Sequence, residues 1–285
     1  MSVLLALLVA SASGMDPETE AVMGRRKPPA ERRIKPYPKA SPPVIDPALE
    51  DCANLAQRDS AAAIKRARDW IVRTDGPAPR QCLGLAEAQA GRWAEAATAF
   101  RDGARLAGTD GGTAARLWAQ AGNAALAGGD MPGALSALDK ALTGNALPNG
   151  LERGEAYLDR ARARVAQKDE AGARADLDSA IGMAPQDPLV WLLSATLARR
   201  MDDLPLAKQH ISQAVRLAGD DASVLLEQGV IAALGHDDAT ARTAFRTAAR
   251  IGAGTPVADK ASAYLAQLGD EPVAAPAPND KPQSR

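Results

Sequence analysis

The chain has 285 residues, and its 34 basic side chains are nearly balanced by 35 acidic ones. This balance excludes a nucleic-acid-binding protein that works through bulk positive charge, because such domains are strongly basic as a whole. Hydrophobic residues make up 46% of the chain, with 64 alanines and only nine aromatic residues. Alanine is the best helix former, whereas strands favour β-branched and aromatic residues, so the composition predicts an all-α fold. No apolar run in the sequence approaches the roughly 20 residues that a membrane-spanning helix needs.

The chain begins with an apolar stretch. Residues 2–10 read SVLLALLVA, and Ala10-Ser11-Ala12 supplies the small-x-small pattern of a cleavage site. We therefore predict a secretory signal peptide over residues 1–12, although the basic residue that usually opens such a peptide is missing. That absence has two explanations: the translation start is assigned downstream of the true one, or the signal peptide is atypical. The prediction implies a periplasmic or otherwise exported protein, with the cytoplasm as the alternative location.

Residues 13–45 combine repeated prolines with a run of positive charge. Proline excludes regular helix, so we predict an extended or disordered linker here, and a second Pro/Ala-rich tail over residues 270–285. The charges suit anionic lipid headgroups, an acidic partner or a solvated spacer, and the lack of an apolar face favours the spacer. We call residues 25–39 the basic segment. Its basic residues are Arg25, Arg26, Lys27, Arg32, Arg33, Lys35 and Lys39, opposed only by Glu31.

A repeat decides the fold of the region between these ends. Five alanines recur at intervals of 38, 39, 34 and 34 residues. A large apolar side chain follows each of them after four residues, and a small residue follows after seven. This spacing marks one face of a helix, and its recurrence predicts helix pairs that stack on copies of themselves. The alanines are Ala96, Ala134, Ala173, Ala207 and Ala241, and the large residues are Phe100, Leu138, Leu177, Ile211 and Phe245.

The helix before each alanine keeps the same register. Trp118, Tyr157 and Trp191 share one position. A glycine that lets two helices approach closely occupies another position in three repeats, as Gly84, Gly122 and Gly229. In the turns between paired helices, glycine accepts the left-handed conformation and aspartate caps the next helix. These turns contain Gly91-Arg92, Gly129-Asp130, Lys168-Asp169, Asp202-Asp203 and His236-Asp237.

This pattern resembles the tetratricopeptide repeat, which has a W-x2-L-G motif, a glycine at the turn and A-x3-F-x2-A in the second helix. The best single match runs from Cys82-Leu83-Gly84 through Gly91 and Ala96 to Phe100. The third repeat departs from the pattern, with Arg160-Ala161 in place of Leu-Gly. The resemblance implies a right-handed α-solenoid of stacked antiparallel helix pairs.

The resemblance also divides the chain. It covers residues 77–255 as five repeats. Residues 46–76 are expected to form an N-terminal capping helix pair and residues 256–269 a C-terminal capping helix. Such caps are required because the terminal repeats of a solenoid lack a neighbour on one side.

Two cysteines, Cys52 and Cys82, are 30 residues apart. Cys52 shares a helix face with Leu49 and Ala56, and Cys82 lies in the first helix of the next pair. Because first helices of successive repeats are neighbours in such stacks, the resemblance places the two thiols within reach of each other. For an exported chain we predict a disulfide, with two buried free cysteines as the alternative.

The sequence offers few candidates for catalysis or metal binding. His236, Asp237 and Asp238 are metal-ligand types, but they occupy a turn in which helix capping accounts for them. His210 lies in mid-helix, where a solvated position is sufficient to explain it. No G-x-S-x-G motif, phosphate loop or dinucleotide fingerprint occurs. We therefore predict a non-enzymatic protein without a metal or cofactor.

The resemblance implies binding of a peptide or protein in a groove lined by first helices. We interpret the chain as a scaffold or adaptor of the bacterial cell envelope. The alternatives are an assembly factor that binds a cell-wall polymer and an enzyme with an unrecognised catalytic group. Arginines outnumber acids at the predicted groove positions, which favours an acidic peptide or a free C-terminus as ligand. Those positions are Gln81, Leu85, Arg116, Asn123, Glu155, Arg162, Thr196 and Arg199.

Overall fold

The computed structural model describes residues 46–144 and 146–269. The predicted signal peptide (1–12), linker (13–45) and C-terminal tail (270–285) lie outside the described residues, so they stay predictions.

The described residues form thirteen α-helices and contain no strand. The predicted all-α fold is therefore confirmed. In chain order the helices are α1 (Pro47–Arg58), α2 (Ser60–Arg73), α3 (Pro77–Gln89), α4 (Trp93–Leu106), α5 (Gly111–Ala127), α6 (Met131–Leu142), α7 (Leu151–Ala166), α8 (Glu170–Met183), α9 (Pro188–Arg200), α10 (Leu204–Ala218), α11 (Ala222–Leu234), α12 (Asp238–Ile251) and α13 (Pro256–Gln267).

Consecutive helices pack as antiparallel pairs joined by short turns. Helices α1–α10 form one compact unit, in which α1 packs on α3, α3 on α5, and α5 on α7, so that first helices are neighbours. Helices α11–α13 form a second compact unit, in which α11 and α12 pair and both contact α13. The predicted α-solenoid fold of stacked antiparallel helix pairs is confirmed.

The turn within each of the five pairs from α3 to α12 has one left-handed residue. The backbone φ angles are 72° at Gly91, 79° at Gly129, 63° at Lys168, 60° at Asp202 and 60° at His236. In the last four turns the next residue is an aspartate whose side chain accepts a hydrogen bond from the backbone N–H three residues later. The aspartate cap is confirmed in four of the five turns, whereas glycine takes the left-handed position only at Gly91 and Gly129, and lysine, aspartate and histidine take it in the other three.

Small residues allow the paired helices to touch. The five recurring alanines of the second helices are all 0% exposed. A Cβ added to Gly84 would lie 2.5 Å from Cε1 of Phe100, so the ring lies directly on the backbone of α3. Gly122 faces Leu138 in the same way. Many thin interfaces of this kind replace a single bulky core.

A disulfide joins α1 to α3. Cys52 and Cys82 are both fully buried, and their Cα atoms are 5.8 Å apart. Ala67 of α2 packs against the bridge, together with the half-buried Leu49 and Trp70. The structure thus contains the pairing that the sequence predicted, and the bridge ties the N-terminal helix pair to the first repeat.

Candidate functional site

A cleft of about 330 Å³ opens across α3, α5 and α7, the first helices of three successive pairs. This volume is typical of ligand pockets and fits a few peptide side chains. Its apolar lining includes Leu85, Ala88, Trp93, Phe100, Ala119 and Leu147. Its polar lining consists of Arg116, Gln120, Asn123, Glu152, Glu155 and Asp159.

Trp93 supplies the aromatic surface of the cleft. It is the first residue of α4 and is 38% exposed. The end of α5 approaches it closely, because a Cβ added to Gly128 would lie only 2.9 Å from Cβ of Trp93. A partly exposed tryptophan beside apolar side chains is the kind of anchor that dominates protein interfaces.

Hydrogen bonds between successive first helices shape the polar side of the cleft. Nε2 of Gln81 on α3 donates to Oε1 of Gln120 on α5 at 3.0 Å. Nδ2 of Asn123 on α5 donates to Oδ2 of Asp159 on α7, also at 3.0 Å. These bonds hold the amide side chains in fixed positions. The cleft therefore presents an ordered row of polar groups.

Two arginines that sequence analysis placed in the groove are already paired with carboxylates. Nε of Arg116 donates to Oε2 of Glu152 at 2.8 Å, and Nη1 of Arg162 donates to Oδ1 of Asp159 at 3.0 Å. Arg116 and Glu152 are 37% and 43% exposed, so water screens their attraction and the pair contributes little to stability. The pair can therefore open at a small cost in free energy.

The charge of the cleft differs from the expectation. Its lining contains three carboxylates, on Glu152, Glu155 and Asp159, against one guanidinium, on Arg116. The formal charge is −2, and it is −1 when the adjacent Arg162 is included. The inference that arginines outnumber acids in the groove is therefore wrong for this cleft.

The structure brings most of the predicted groove residues together. Leu85, Arg116, Asn123 and Glu155 line the cleft. Gln81 and Arg162 lie outside the lining, but they bond to Gln120 and Asp159, which belong to it.

The two predicted positions on α9 lie apart from the cleft lining. Thr196 is 4% exposed, and its hydroxyl donates to the carbonyl of Leu192 on its own helix. The expectation that Thr196 is exposed is therefore wrong. It borders a small apolar pocket of about 20 Å³, which has room for about one water molecule. Arg199 is half-buried in the last turn of α9.

Sequence analysis missed Trp93, Gln120, Glu152 and Asp159. The last three lie one repeat beyond residues that it selected, because Gln120 follows Gln81 by 39 residues and Asp159 follows Asn123 by 36. A search for polar residues that recur at the repeat spacing would have found them. Trp93 has no such signal, since it opens a second helix.

His210 is buried, which corrects the expectation of a solvated helix position. It is 6% exposed, and its Nδ1 lies 2.6 Å from Oγ of Ser194, which in turn accepts from Nη2 of Arg174. Burial lowers the pKa of His210 below its ordinary value of 6.5, and the nearby charge of Arg174 lowers it further. Because Ser194 is 0% exposed, a substrate cannot reach its hydroxyl, so this Ser–His pair is a structural contact.

The described residues contain no group of three or more histidine, cysteine, aspartate or glutamate side chains placed to hold a metal ion. Within the same residues, no helix combines the length and apolar character that crossing a bilayer requires.

No protein-family model matches the chain, and no curated protein matches it. Several solved structures do. PilW, described as a widely conserved type IV pilus biogenesis factor, has a TM-score of 0.62 and 14% identity over 76% of this chain and 99% of that one. For pilF of Pseudomonas aeruginosa the TM-score is 0.59 and the identity 15%, with the same coverage. YrrB, described as a TPR protein with an unusual peptide-binding site, has a TM-score of 0.52 and 16% identity over 70% of this chain and 100% of that one. At these identities the likeness shows the tetratricopeptide-repeat fold alone.

Proposed function

Because the chain has the tetratricopeptide-repeat fold, we propose that it is a non-enzymatic adaptor of the bacterial cell envelope that binds a protein segment. The observation that carries the proposal is the cleft across α3, α5 and α7. It combines an apolar floor, a partly exposed tryptophan and a row of ordered amides. This is the chemistry that an extended peptide needs, with apolar contact for its side chains and hydrogen-bond partners for its backbone.

Two observations support an exported location. The apolar residues 2–10 and the small residues that follow are typical of a secretory signal. A buried disulfide between Cys52 and Cys82 fits an oxidising compartment, since cytosolic proteins rarely retain structural disulfides. Of the similar structures, PilW is described as a pilus biogenesis factor and YrrB as having a peptide-binding site, and both descriptions are compatible with the proposal.

The chemistry of the partner follows from the charge of the cleft. An acidic partner was expected from Arg116 and Arg162, but both guanidinium groups already face carboxylates. The lining still has a net negative charge after this pairing, so a lysine or arginine of the partner would be attracted to Glu155 and to Glu152, which it would share with Arg116. We therefore assign the cleft to a partner segment that carries positive charge.

The test is affinity capture from envelope extracts followed by mass spectrometry. The cleft variant is Ala119→Trp, which fills the cleft with a large ring. The matched control is Ala175→Trp, which adds the same ring to an exposed position of α8. We expect the control to capture the same proteins as the parent and Ala119→Trp to lose them, with both variants remaining helical. Equal capture by the two variants would exclude the cleft as the binding site.

A further inference from the structure

We infer that, when no partner is bound, the cleft across α3, α5 and α7 is occupied by the chain's own basic segment, residues 25–39. This inference rests on the proposed function, because it assigns a competitor to the same cleft. Its first support is charge. The basic segment carries seven positive side chains and one negative side chain, whereas the cleft has a formal charge of −2, or −1 when the adjacent Arg162 is included. Opposite charges attract, and the attraction is strongest where the site is partly shielded from water.

The second support is reach. Lys39 lies eight residues before Pro47, the first residue of α1, and Arg25 lies 22 residues before it. Extended chain covers about 3.3 Å per residue, so these residues can lie up to about 26 Å and 73 Å from α1. Helix α1 packs on α3, which packs on α5, and packed helices are about 8–10 Å apart. The cleft is therefore within the span of the basic segment.

The third support is the composition of the segment. Residues 28–43 contain Pro28, Pro29, Pro36, Pro38 and Pro42-Pro43. Because proline fixes its own φ angle, proline-rich sequences lose less entropy on binding than ordinary chains, and they dock on aromatic surfaces. Trp93 offers such a surface beside the acidic rim, and an arginine or lysine can also stack on its ring.

Tethering makes this contact effective even if it is weak. A segment joined to its site through a short linker has an effective concentration in the millimolar range. A partner must then displace it, and the apparent affinity of the partner falls by the fraction of chains in which the cleft is open. The basic segment would thus set a threshold for partner binding.

The first experiment is zero-length carbodiimide cross-linking of the full chain, followed by peptide mapping of the monomer band. We expect Lys27, Lys35 or Lys39 to be joined to Glu152 or Glu155. The exposed carboxylates of the second helices, Asp139 on α6 and Asp178 on α8, serve as internal controls and should react much less. Cross-links spread evenly over all carboxylates, or confined to dimers, would contradict occupation by the chain's own segment.

The second experiment measures binding of a fluorescent synthetic peptide of residues 24–40 in trans. The parent chain is compared with a chain in which the basic residues of the segment are changed to glutamine. We expect the peptide to bind the neutralised chain at least about 10-fold more tightly, because its competitor is gone. The same peptide with glutamine in place of its basic residues should bind neither chain.

The outcomes separate the two proposals. Equal binding of the peptide by parent and neutralised chains would overturn the inference and leave the cleft as a binding site. If the peptide still bound to the neutralised chain after Ala119→Trp, the cleft would be excluded as the binding site, and the proposed function with it. Raising the salt concentration should weaken the peptide's binding, because the rim charges are exposed to solvent.

Discussion

Arg92 pairs with Glu87, a carboxylate that is only 2% exposed, at the start of α4. Among the second helices of the described pairs, α4 is the one that does not begin after an aspartate. Oε1 of Glu87 also accepts from Nη2 of Arg68 at 3.3 Å. At this position, an arginine that neutralises the buried carboxylate of Glu87 replaces the usual capping aspartate.

The first prediction follows from that exchange. Arg92→Asp restores a capping residue, which is worth about 1 kcal/mol, but leaves Glu87 facing a second negative charge. We expect a net loss of about 1–3 kcal/mol in the free energy of unfolding, measured by urea denaturation, since Arg68 still offsets part of the buried charge. Adding Glu87→Ala should recover the stability. If Arg92→Asp alone were as stable as the parent, this would show that Arg92 does not neutralise Glu87.

The second prediction compares two glycines in helices. Gly84→Ala places a Cβ against the ring of Phe100, so we expect it to cost about 1–3 kcal/mol through overpacking. Gly182→Ala is the matched control, because nothing lies within 4 Å of the added Cβ. Alanine should stabilise that exposed position of α8 by about 0.5–1 kcal/mol. Thermal melting distinguishes the two variants. A change of the melting temperature in the same direction in both would contradict the contact between Gly84 and Phe100.

The third prediction concerns pH. The pKa of His210 is lowered in the folded chain by burial and by Arg174, so below pH 6.5 the unfolded chain binds more protons than the folded one. The contribution of neutral His210 to stability is therefore complete above pH 6.5 and is lost as the pH falls through the folded-state pKa. We expect the free energy of unfolding to decrease between pH 7.5 and pH 5.

The variant that isolates this effect is His210→Gln, which retains a hydrogen-bond acceptor for Ser194 and cannot be protonated in this range. Its stability should fall less steeply with acid than that of the parent. His236→Asn removes the exposed histidine, and asparagine tolerates the left-handed backbone at that position, so it serves as the control. If the free energy of unfolding fell equally steeply with acid in the parent and in His210→Gln, His210 would not be the group responsible for the pH dependence.

The fourth prediction concerns the disulfide. The double variant Cys52→Ala and Cys82→Ala should lose about 3 kcal/mol, because the unfolded chain regains the freedom of a 30-residue loop. Since each helix pair contacts only its neighbours, the loss should appear first in α1 and α2. Hydrogen exchange would show faster exchange there and unchanged exchange in α8. Uniform acceleration throughout the chain would contradict a local role.

The sequence predicts the fold well because the fold depends on spacing. The alanines at intervals of 34 to 39 residues, the glycines that face Phe100 and Leu138, and the aspartates that cap second helices all recur at fixed positions. Each of these features depends on a contact within its own helix pair. The periodicity of the sequence is therefore enough to predict where each of these features lies.

The site is harder to predict because it depends on contacts between pairs. Asp159 reaches Asn123 from the next repeat, and Glu152 reaches Arg116 in the same way, so the charge of the cleft cannot be counted along a single helix. Thr196 and His210 are buried because neighbouring helices cover them, although both are polar. Periodicity shows which face of a helix is apolar, but it does not show how many neighbours cover its polar residues.

The disulfide between α1 and α3 also determines how the N-terminal helices respond to mechanical tension. Residues 1–45 join the described chain at α1, so a partner or surface that holds them would pull on α1 first. The force then passes from Cys52 through the bridge to Cys82 and bypasses α2. Without the bridge, the stretch from Cys52 to Cys82, which are 30 positions apart in sequence, could lengthen to about 100 Å. With it, that length stays locked, and α2 carries no load for as long as the bridge is intact.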